Sequence, residues 1–508
     1  MSSFRTVSIV SLAFFLQTTF SIIFFLVIAR TLPVTEVGGI SLFLSFGSIF
    51  VVAFSLNLDV GLTHFISFFK GELGEYFLPR MFIVLPAVLT VTSFTFIVAL
   101  SSIISDVFFH SSQYKTVVIL LGVYVAESIS IGFLVSILQG IQSFKLAAIS
   151  NIIYSGLTFG LPTIMSFFKL SIEFIAMSFS IGAGISLIIT LFFVLMTDLS
   201  RKTPENDLNR KILAYVTPVF LGSLFTTLMG TVDRIILPAL TNLTLTAIYT
   251  YSLAIATIVT ALTSPFSFFL LPKISENFGS SQKGKLKKYT QGSLEMFYFI
   301  ALPASIGAAL LSRPLLSVLV GGVYANNFLI LQIMVFSYSF FSFRPIVSSI
   351  LLGVKRTDIY FFSAVAAFIA NVLISLLLIP PFGLYGAVSA SISAWALSTV
   401  PRIIAVNSIF PSKLPLHPYI RMWFNVIVMA IAVFFTSEFF HSDFYALIFS
   451  IVIGLIVYMM CSIINRPFTS EARCLIYSIV TKNHPFMEKL TKLFVGSEIL
   501  DDEESNST

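Results

Sequence analysis

The sequence predicts an all-α polytopic membrane protein of about fourteen transmembrane helices, arranged as two pseudo-symmetric six-helix lobes followed by two C-terminal helices. Three observations carry that prediction. Only 10% of the 508 residues are charged while 57% are hydrophobic, and a soluble chain carries about 25% charged residues. The apolar residues come in blocks long enough, at about twenty residues, to cross the hydrocarbon core. Short sequence stretches also recur in the same order in the two halves.

The segments run roughly 7–29, 37–58, 81–104, 117–138, 146–168, 174–196, 212–240, 245–271, 290–312, 328–352, 359–380, 382–408, 419–437 and 443–463. They are too long for strands and lack the alternation of a membrane barrel. Helices are required because lipid offers the backbone no hydrogen-bond partners. The first block is too long for a signal peptide and has no small-residue cleavage site.

The formal charge of +6 does not point to nucleic acid, because the basic residues lie in short segments between apolar blocks. With the N-terminus inside, 23 of the 29 Lys and Arg fall at cytoplasmic segments, Arg30, Lys115, Lys169 and Arg313 fall outside, and Arg234 and Arg344 lie within spans. This positive-inside bias places both termini in the cytoplasm of a multi-pass cell-membrane protein. The basic clusters Arg201, Lys202, Arg210, Lys211 and Lys273, Lys283, Lys285, Lys287, Lys288 read as orientation signals, with contact to anionic membrane lipids or lipid phosphate as the functional alternative.

The polar loop at 197–211 divides the chain into an N-terminal lobe (1–200) and a C-terminal lobe (201–410). Helices 13 and 14 (411–465) and a cytoplasmic tail (466–508), ending in DDEESNST, complete the organisation. The repeat supports the division. Ser136-Ile137-Leu138-Gln139-Gly140 ends span 4 as Ser349-Ile350-Leu351-Leu352-Gly353 ends span 10, and Leu85-Pro86 in span 3 matches Leu302-Pro303 in span 9. Six helices per lobe relate the halves by an axis along the membrane normal.

A charge in hydrocarbon costs several kcal/mol, about 2.5 to 3.5 on insertion scales, so the few ionisable residues within spans are the functional candidates. Glu127 lies mid-span and suits a coupling proton or cation, or a sugar hydroxyl; structural pairing with a neighbouring helix is the alternative. Arg344, followed by Pro345, suits a phosphate, because its planar fork offers bidentate donors; pairing with Glu127 or snorkelling to the interface is its alternative. Asp233 and Arg234 diverge by about 100° on their helix and do not pair with each other; Asp233 suits an ion or a sugar hydroxyl. Asp59 and His64 follow span 2, where a solvated helix end is the simpler reading. Gln17, Asn57, Asn151 and Asn371 suit either a cavity or interhelical hydrogen bonds. Asn242-Leu243-Thr244 fits a glycosylation sequon that chance also produces.

There is no GxxxxGK[ST] loop, no HExxH and no GxSxG elbow. Cys461 and Cys474 have no metal-ligand spacing. The reading is of a transporter and not an enzyme, with no cofactor. No extramembrane segment is long enough for a membrane glycosyltransferase or polymerase.

Three stretches then carry a family resemblance. VIARTLPVTEVGGISLFLSF with SLNLDVGLTHFISFFKGE, TVDRIILPALTNLTLTAIYTYSLA, and NVLISLLLIPPFGLYGAVSASIS together resemble the polysaccharide-biosynthesis flippases of the O-antigen (Wzx) type. These belong to the multidrug/oligosaccharidyl-lipid/polysaccharide exporter superfamily, and the resemblance spans roughly 1–410. It implies two MATE-like lobes around an alternating cavity, and a polyprenyl- or dolichyl-linked oligosaccharide as partner. It implies that Asp233 and Arg234 occupy the acidic-plus-basic position of helix 7, and that Pro380, Gly383 and Gly386 form the family's turn. Drug antiporters of this superfamily commonly carry an acidic residue in helix 1, where this chain has only Gln17. A peptidoglycan-precursor flippase has several basic residues in helices 1 and 2, where this chain has Arg5 and Arg30 only at helix ends. Both departures favour the saccharide branch. The rival function is a multidrug antiporter of the same fold, coupled to H+ or Na+, and the coupling ion of a flippase would be one of the same two.

Overall fold

The computed structural model describes residues 2–63, 66, 81–197, 208–259, 274, 283–341, 343–354, 356–409, 416–470 and 472–473. Among the described residues no strand occurs. The chain divides into two compact units, Met1–Thr250 with Val372–Ala387, and Tyr251–Asn371 with Val388–Thr508.

The first unit holds α1 (Ser2–Thr31), α2 (Val34–Ser55), a helical segment over 58–63, α3 (Met81–Ala99), α4 (Ser101–Phe108), α5 (Lys115–Gly140), α6 (Phe144–Phe167), α7 (Ile172–Leu195), α8 (Leu208–Thr231), α9 (Asp233–Leu240) and the start of α10 (Leu243–Val259). Within it α1 packs on α6, α5 on α7 and α3, and α2 on α5 and α8. The second unit holds α11 (Lys283–Leu310), α12 (Ser312–Leu319), α13 (Gly322–Ala325), α14 (Phe328–Phe341), α15 (Arg344–Gly353), most of α16 (Thr357–Phe382) and α17 (Leu384–Ile409), α18 (Leu416–Phe439) and α19 (Asp443–Asn465). There α11 packs on α14 and α18, and α18 on α19.

These helices obey the rules of a nonaqueous solvent. Many serine and threonine hydroxyls bond back to their own helix, as Ser41 to the Val37 carbonyl (2.9 Å) and Thr190 to that of Ser186 (2.7 Å), which satisfies them without water. Large apolar side chains stand fully out, Leu377 at 71% and Ile464 at 80% exposed, which only a hydrocarbon surround makes inexpensive.

Among the described residues ten helices are long and apolar enough to cross a membrane, or twelve if each of two bent pairs is one span. The bent pairs are the expected third and seventh spans, with angles of 53° at the α3–α4 break and 43° at the α8–α9 break. Two shorter apolar helices, Phe15–Thr31 and Leu243–Val259, occupy the expected first and eighth segments. The rest of the eighth lies outside the described residues. So do most of the expected hinge at 197–211, His64 and the tail from 474.

The seventh span breaks for a visible reason. Arg234 Nη2 donates to the Gly230 carbonyl at 2.9 Å, the oxygen that the Arg234 N–H would take in an unbroken helix. A side chain inserted into the ladder is a recognised cause of a kink.

The repeat has a structural counterpart. α3 and α11 each contain a proline, Pro86 and Pro303. Each is followed after one residue, Leu100 (φ −87°, ψ 0°) or Leu311 (φ −92°, ψ 16°), by an eight-residue helix. α5 and α15 end at Gly140 and Gly353, with matching caps at Ile141 and Val354. The α16–α17 turn contains Pro380 and Pro381 in the last turn of α16, then Gly383 at φ +53°, the left-handed position that closes a helix without Cβ strain. A Cβ on Gly386 would collide with the Leu378 carbonyl.

Candidate functional site: a hydroxyl-lined cavity in the first unit

The first unit carries an open cavity of about 810 Å³. Its polar lining comes from Gln17 of α1, Ser48 of α2, Asp59 and Thr63 of the 58–63 segment, and Ser136 and Gln139 of α5. Asn151 of α6 and Thr226, Thr227, Thr231 and Arg234 of α8–α9 complete it. One wall is a hydroxyl cluster: Tyr154 OH lies 3.2 Å from Tyr124 OH and 3.0 Å from Ser128 Oγ. α2 contributes only from Leu44 onward, α5 only from Tyr124 onward and α6 only up to Phe159. The cavity therefore lies toward the end of the unit where α2 and α5 finish and α6 begins.

Asp59 and Arg234 are brought together as lining residues of this cavity. Asp59 follows two left-handed residues, Leu56 (φ 52°) and Asn57 (φ 50°), and Asn57 Nδ2 anchors that turn by donating to Ser223 Oγ at 2.7 Å. The Asp59 Oδ1 atom is buried without a hydrogen-bond partner. Asp233 opens α9, is 5% exposed, and accepts from Tyr249 OH (2.9 Å) and Ser375 Oγ (3.4 Å). It is not among the lining residues, as expected for a neighbour about 100° around the helix from Arg234.

Glu127 lies at the expected depth but does not line this cavity; its neighbours Tyr124, Ser128, Ile131 and Gly132 do. Its Oε1 lies 2.9 Å from the point where a Cβ on Gly184 of α7 would sit, and its Oε2 is buried without a partner. Arg344 belongs to the second unit, at the start of α15, with Pro345 at the first helical turn. Gln17 and Asn151 line the cavity, whereas Asn371 is fully buried in α16. Asn242 Oδ1 accepts from the Leu245 N–H at 3.0 Å, the bond of a helix N-cap.

Several polar residues escape the sequence reading. Arg402 and Arg421, tallied above with the cytoplasmic ends, lie within α17 and α18. Arg402 is 3% exposed, and Arg421 Nη1 donates to the carbonyls of Asn465 and Arg466. Glu295 is fully buried in α11 and accepts from the Thr469 N–H (2.9 Å) and hydroxyl (2.9 Å). Tyr124 and Tyr154 read as apolar span residues; their mid-span position was the available signal.

The second unit holds a separate cavity of about 520 Å³ with an almost wholly apolar wall. α11 contributes Phe299 and Pro303, α18 contributes Met429 and Val433, and α19 contributes Leu447 and Leu455. The last two helices are thus integrated into this unit, and Asn425 Nδ2 to Ser462 Oγ (3.2 Å) and Tyr458 OH to the Phe299 carbonyl (2.9 Å) fix them there.

Among known proteins, "Uncharacterized membrane protein MJ1068" of Methanocaldococcus jannaschii is 24% identical over 83% of this chain and 86% of its own length. A second protein of that organism, MJ1375, is 26% identical over 52% of this chain and 65% of its own. Among solved structures, lipid II flippase MurJ in an inward closed conformation superposes with a TM-score of 0.69 at 17% identity, over 90% of this chain and 98% of that one. An inward-facing MATE family multidrug resistance transporter of the MOP superfamily gives 0.64 at 14% identity, over 78% and 96%. The expected MATE-like fold is thus the observed one. The model of the family described as lipid II flippase MurJ matches residues 70–455, so the family shown is the one the helix-end arginines had weighed against on substrate grounds. The chain belongs to the MurJ lipid II flippase family of multi-pass membrane transporters.

Proposed function

We propose that this protein flips a polyprenyl- or dolichyl-linked oligosaccharide from the cytoplasmic to the outer leaflet by alternating access, for surface polysaccharide or glycan assembly. The observation that carries the reading is the lining of the 810 Å³ cavity. Amides, hydroxyls and two phenols dominate its polar wall, with Asp59 and Arg234 as single charges of each sign. A sugar loses water hydrogen bonds at every hydroxyl when it enters hydrocarbon. Such a wall replaces those bonds without demanding a net charge on the cargo. The apolar cavity of the second unit offers matching chemistry for the isoprenoid chain.

In this reading Asp59 and Arg234 contact the saccharide. Asp233, with its Tyr249 and Ser375 hydroxyls, and Glu127, with an unpartnered buried oxygen, are the sites for a coupling H+ or Na+. Arg344 meets the carrier phosphate. The moving lobes in this reading are 1–200 and 201–410, although 208–250 packs within the first compact unit; the segment 411–465 extends the second lobe, and both termini with the 466–508 tail are cytoplasmic.

The test is flipping of a fluorescent polyprenyl-diphosphate saccharide in proteoliposomes, scored by accessibility to an external quencher. Protein-dependent equilibration supports the reading. Its absence, together with efflux of cationic dyes from cells expressing the protein, would favour the multidrug antiporter instead.

A further inference from the structure

The second unit contains a buried cation for which transport by the first-unit cavity gives no role. Arg402 of α17 is 3% exposed. Its Nε donates to Ser363 Oγ (2.8 Å), its Nη1 to Ser348 Oγ (2.8 Å) and its Nη2 to the Tyr360 carbonyl (3.3 Å). The Tyr360 ring lies 4.5 Å from its central carbon. All these partners are neutral. Among the described residues no carboxylate faces it, and the nearby acid, Asp358, is exposed and taken by Arg356 at 2.9 Å. A guanidinium has five N–H donors, and these three bonds leave two unspent.

The surroundings add positive charge. Ser348, which holds Arg402, also donates to the Arg344 carbonyl at 2.6 Å. Arg344 therefore lies one helical turn before the clamp, at the i,i+4 spacing that puts two residues on one helix face. The Arg344 guanidinium is half-buried and makes no hydrogen bond or ion pair with any described residue. It stands on the first residue of α15. Burying one uncompensated cation is costly, and a second cation one helical turn from its Ser348 anchor adds repulsion. An anion seated between them reverses both terms.

We propose that Arg344 and Arg402 form a phosphate site in the second unit, with Arg344 the accessible fork and Arg402 the buried charge behind it. The Ser348 hydroxyl ties Arg402 to the helical turn that Arg344 begins. A planar fork on each side suits a diphosphate or phosphodiester with bidentate geometry. Two sources present that chemistry, the diphosphate of a lipid-linked saccharide and the headgroup of an anionic phospholipid. The first rests on the flippase reading above; the second does not.

The experiment uses the full-length protein in phosphatidylcholine nanodiscs, titrated with farnesyl diphosphate, with farnesol as the uncharged control. Wild-type protein binds the diphosphate and not the alcohol. Arg344→Gln, which breaks no described contact, weakens binding tenfold or more. Arg402→Lys, which keeps the charge and loses the fork, weakens it as well. In nanodiscs containing phosphatidylglycerol, competition lost in Arg344→Gln assigns the site to the headgroup, and absence of competition assigns it to the diphosphate. Wild-type affinity for farnesyl diphosphate in a folded Arg344→Gln protein overturns the proposal. Arg344-dependent binding in a protein that flips no lipid-linked saccharide overturns the flippase reading and leaves the site standing.

Discussion

Glu127 and Gly184 together permit a test of the carboxyl that leaves the carboxyl in place. A Cβ added at Gly184 would sit 2.9 Å from Glu127 Oε1 and 3.7 Å from its Cδ. Carbon and oxygen rest at about 3.3 Å or more, so Gly184→Ala displaces the carboxyl oxygen by roughly 0.4 Å along a flexible side chain. The backbone of α7 gains up to about 1 kcal/mol of helix propensity from the same change. Thermal stability in detergent is therefore expected to hold or rise slightly. If Glu127 takes part in transport as proposed, a shift that costs about 1 kcal/mol at the carboxyl slows flipping about fivefold. The assay is initial rate of saccharide flipping in proteoliposomes, beside Glu127→Gln and the double variant. The double variant should be no slower than Glu127→Gln alone, because the two changes act on one contact. Wild-type turnover in both Gly184→Ala and Glu127→Gln would refute a transport role for this carboxyl.

Further outcomes follow from the same geometry. Glu127→Gln and Arg344→Ala impair export while membrane insertion, followed by fractionation, stays normal; normal export in both removes them from the mechanism. Asp233→Ala leaves the fully buried Tyr249 hydroxyl without this acceptor and costs about 1 to 3 kcal/mol. Part of that loss is expected to return in Asp233→Ala/Tyr249→Phe, and equal losses in the single and double variants would count against the bond. Tyr154→Phe removes the hub of the Tyr124–Ser128 cluster; half-saturation for the saccharide should rise several-fold with thermal stability changed by only about 1 kcal/mol. Unchanged saturation would place those hydroxyls outside the binding surface. Gly383→Val forces a β-branched residue into a left-handed position (φ +53°) and is expected to lower the yield of folded protein more than Gly307→Ala, whose added Cβ meets only the tip of Met429 at 4.0 Å.

The sequence discloses depth far better than direction. Spans were legible because lipid fixes the length of an apolar helix, so most expected segments coincide with observed helices. The bends were not, because the α8–α9 break depends on where the Arg234 guanidinium lands. No periodicity reports a side chain that reaches back to Gly230. The cost of a buried charge marked Asp233 and Arg234, and only Arg234 lines the cavity, for a geometric reason. At 100° per residue, adjacent positions face different neighbours. The same rotation sets Ser128 in the cavity wall while Glu127 meets Gly184. Tyr124 and Tyr154 stayed hidden because tyrosine is counted with the hydrophobic residues, yet its hydroxyl is what a sugar would meet. Arg402 shows the complementary difficulty. A cation near a helix end is normally an orientation signal, and only its 3% exposure and its neutral partners separate it from that class. Charge counted for topology and charge held for a ligand draw on the same residues, and burial is what tells them apart.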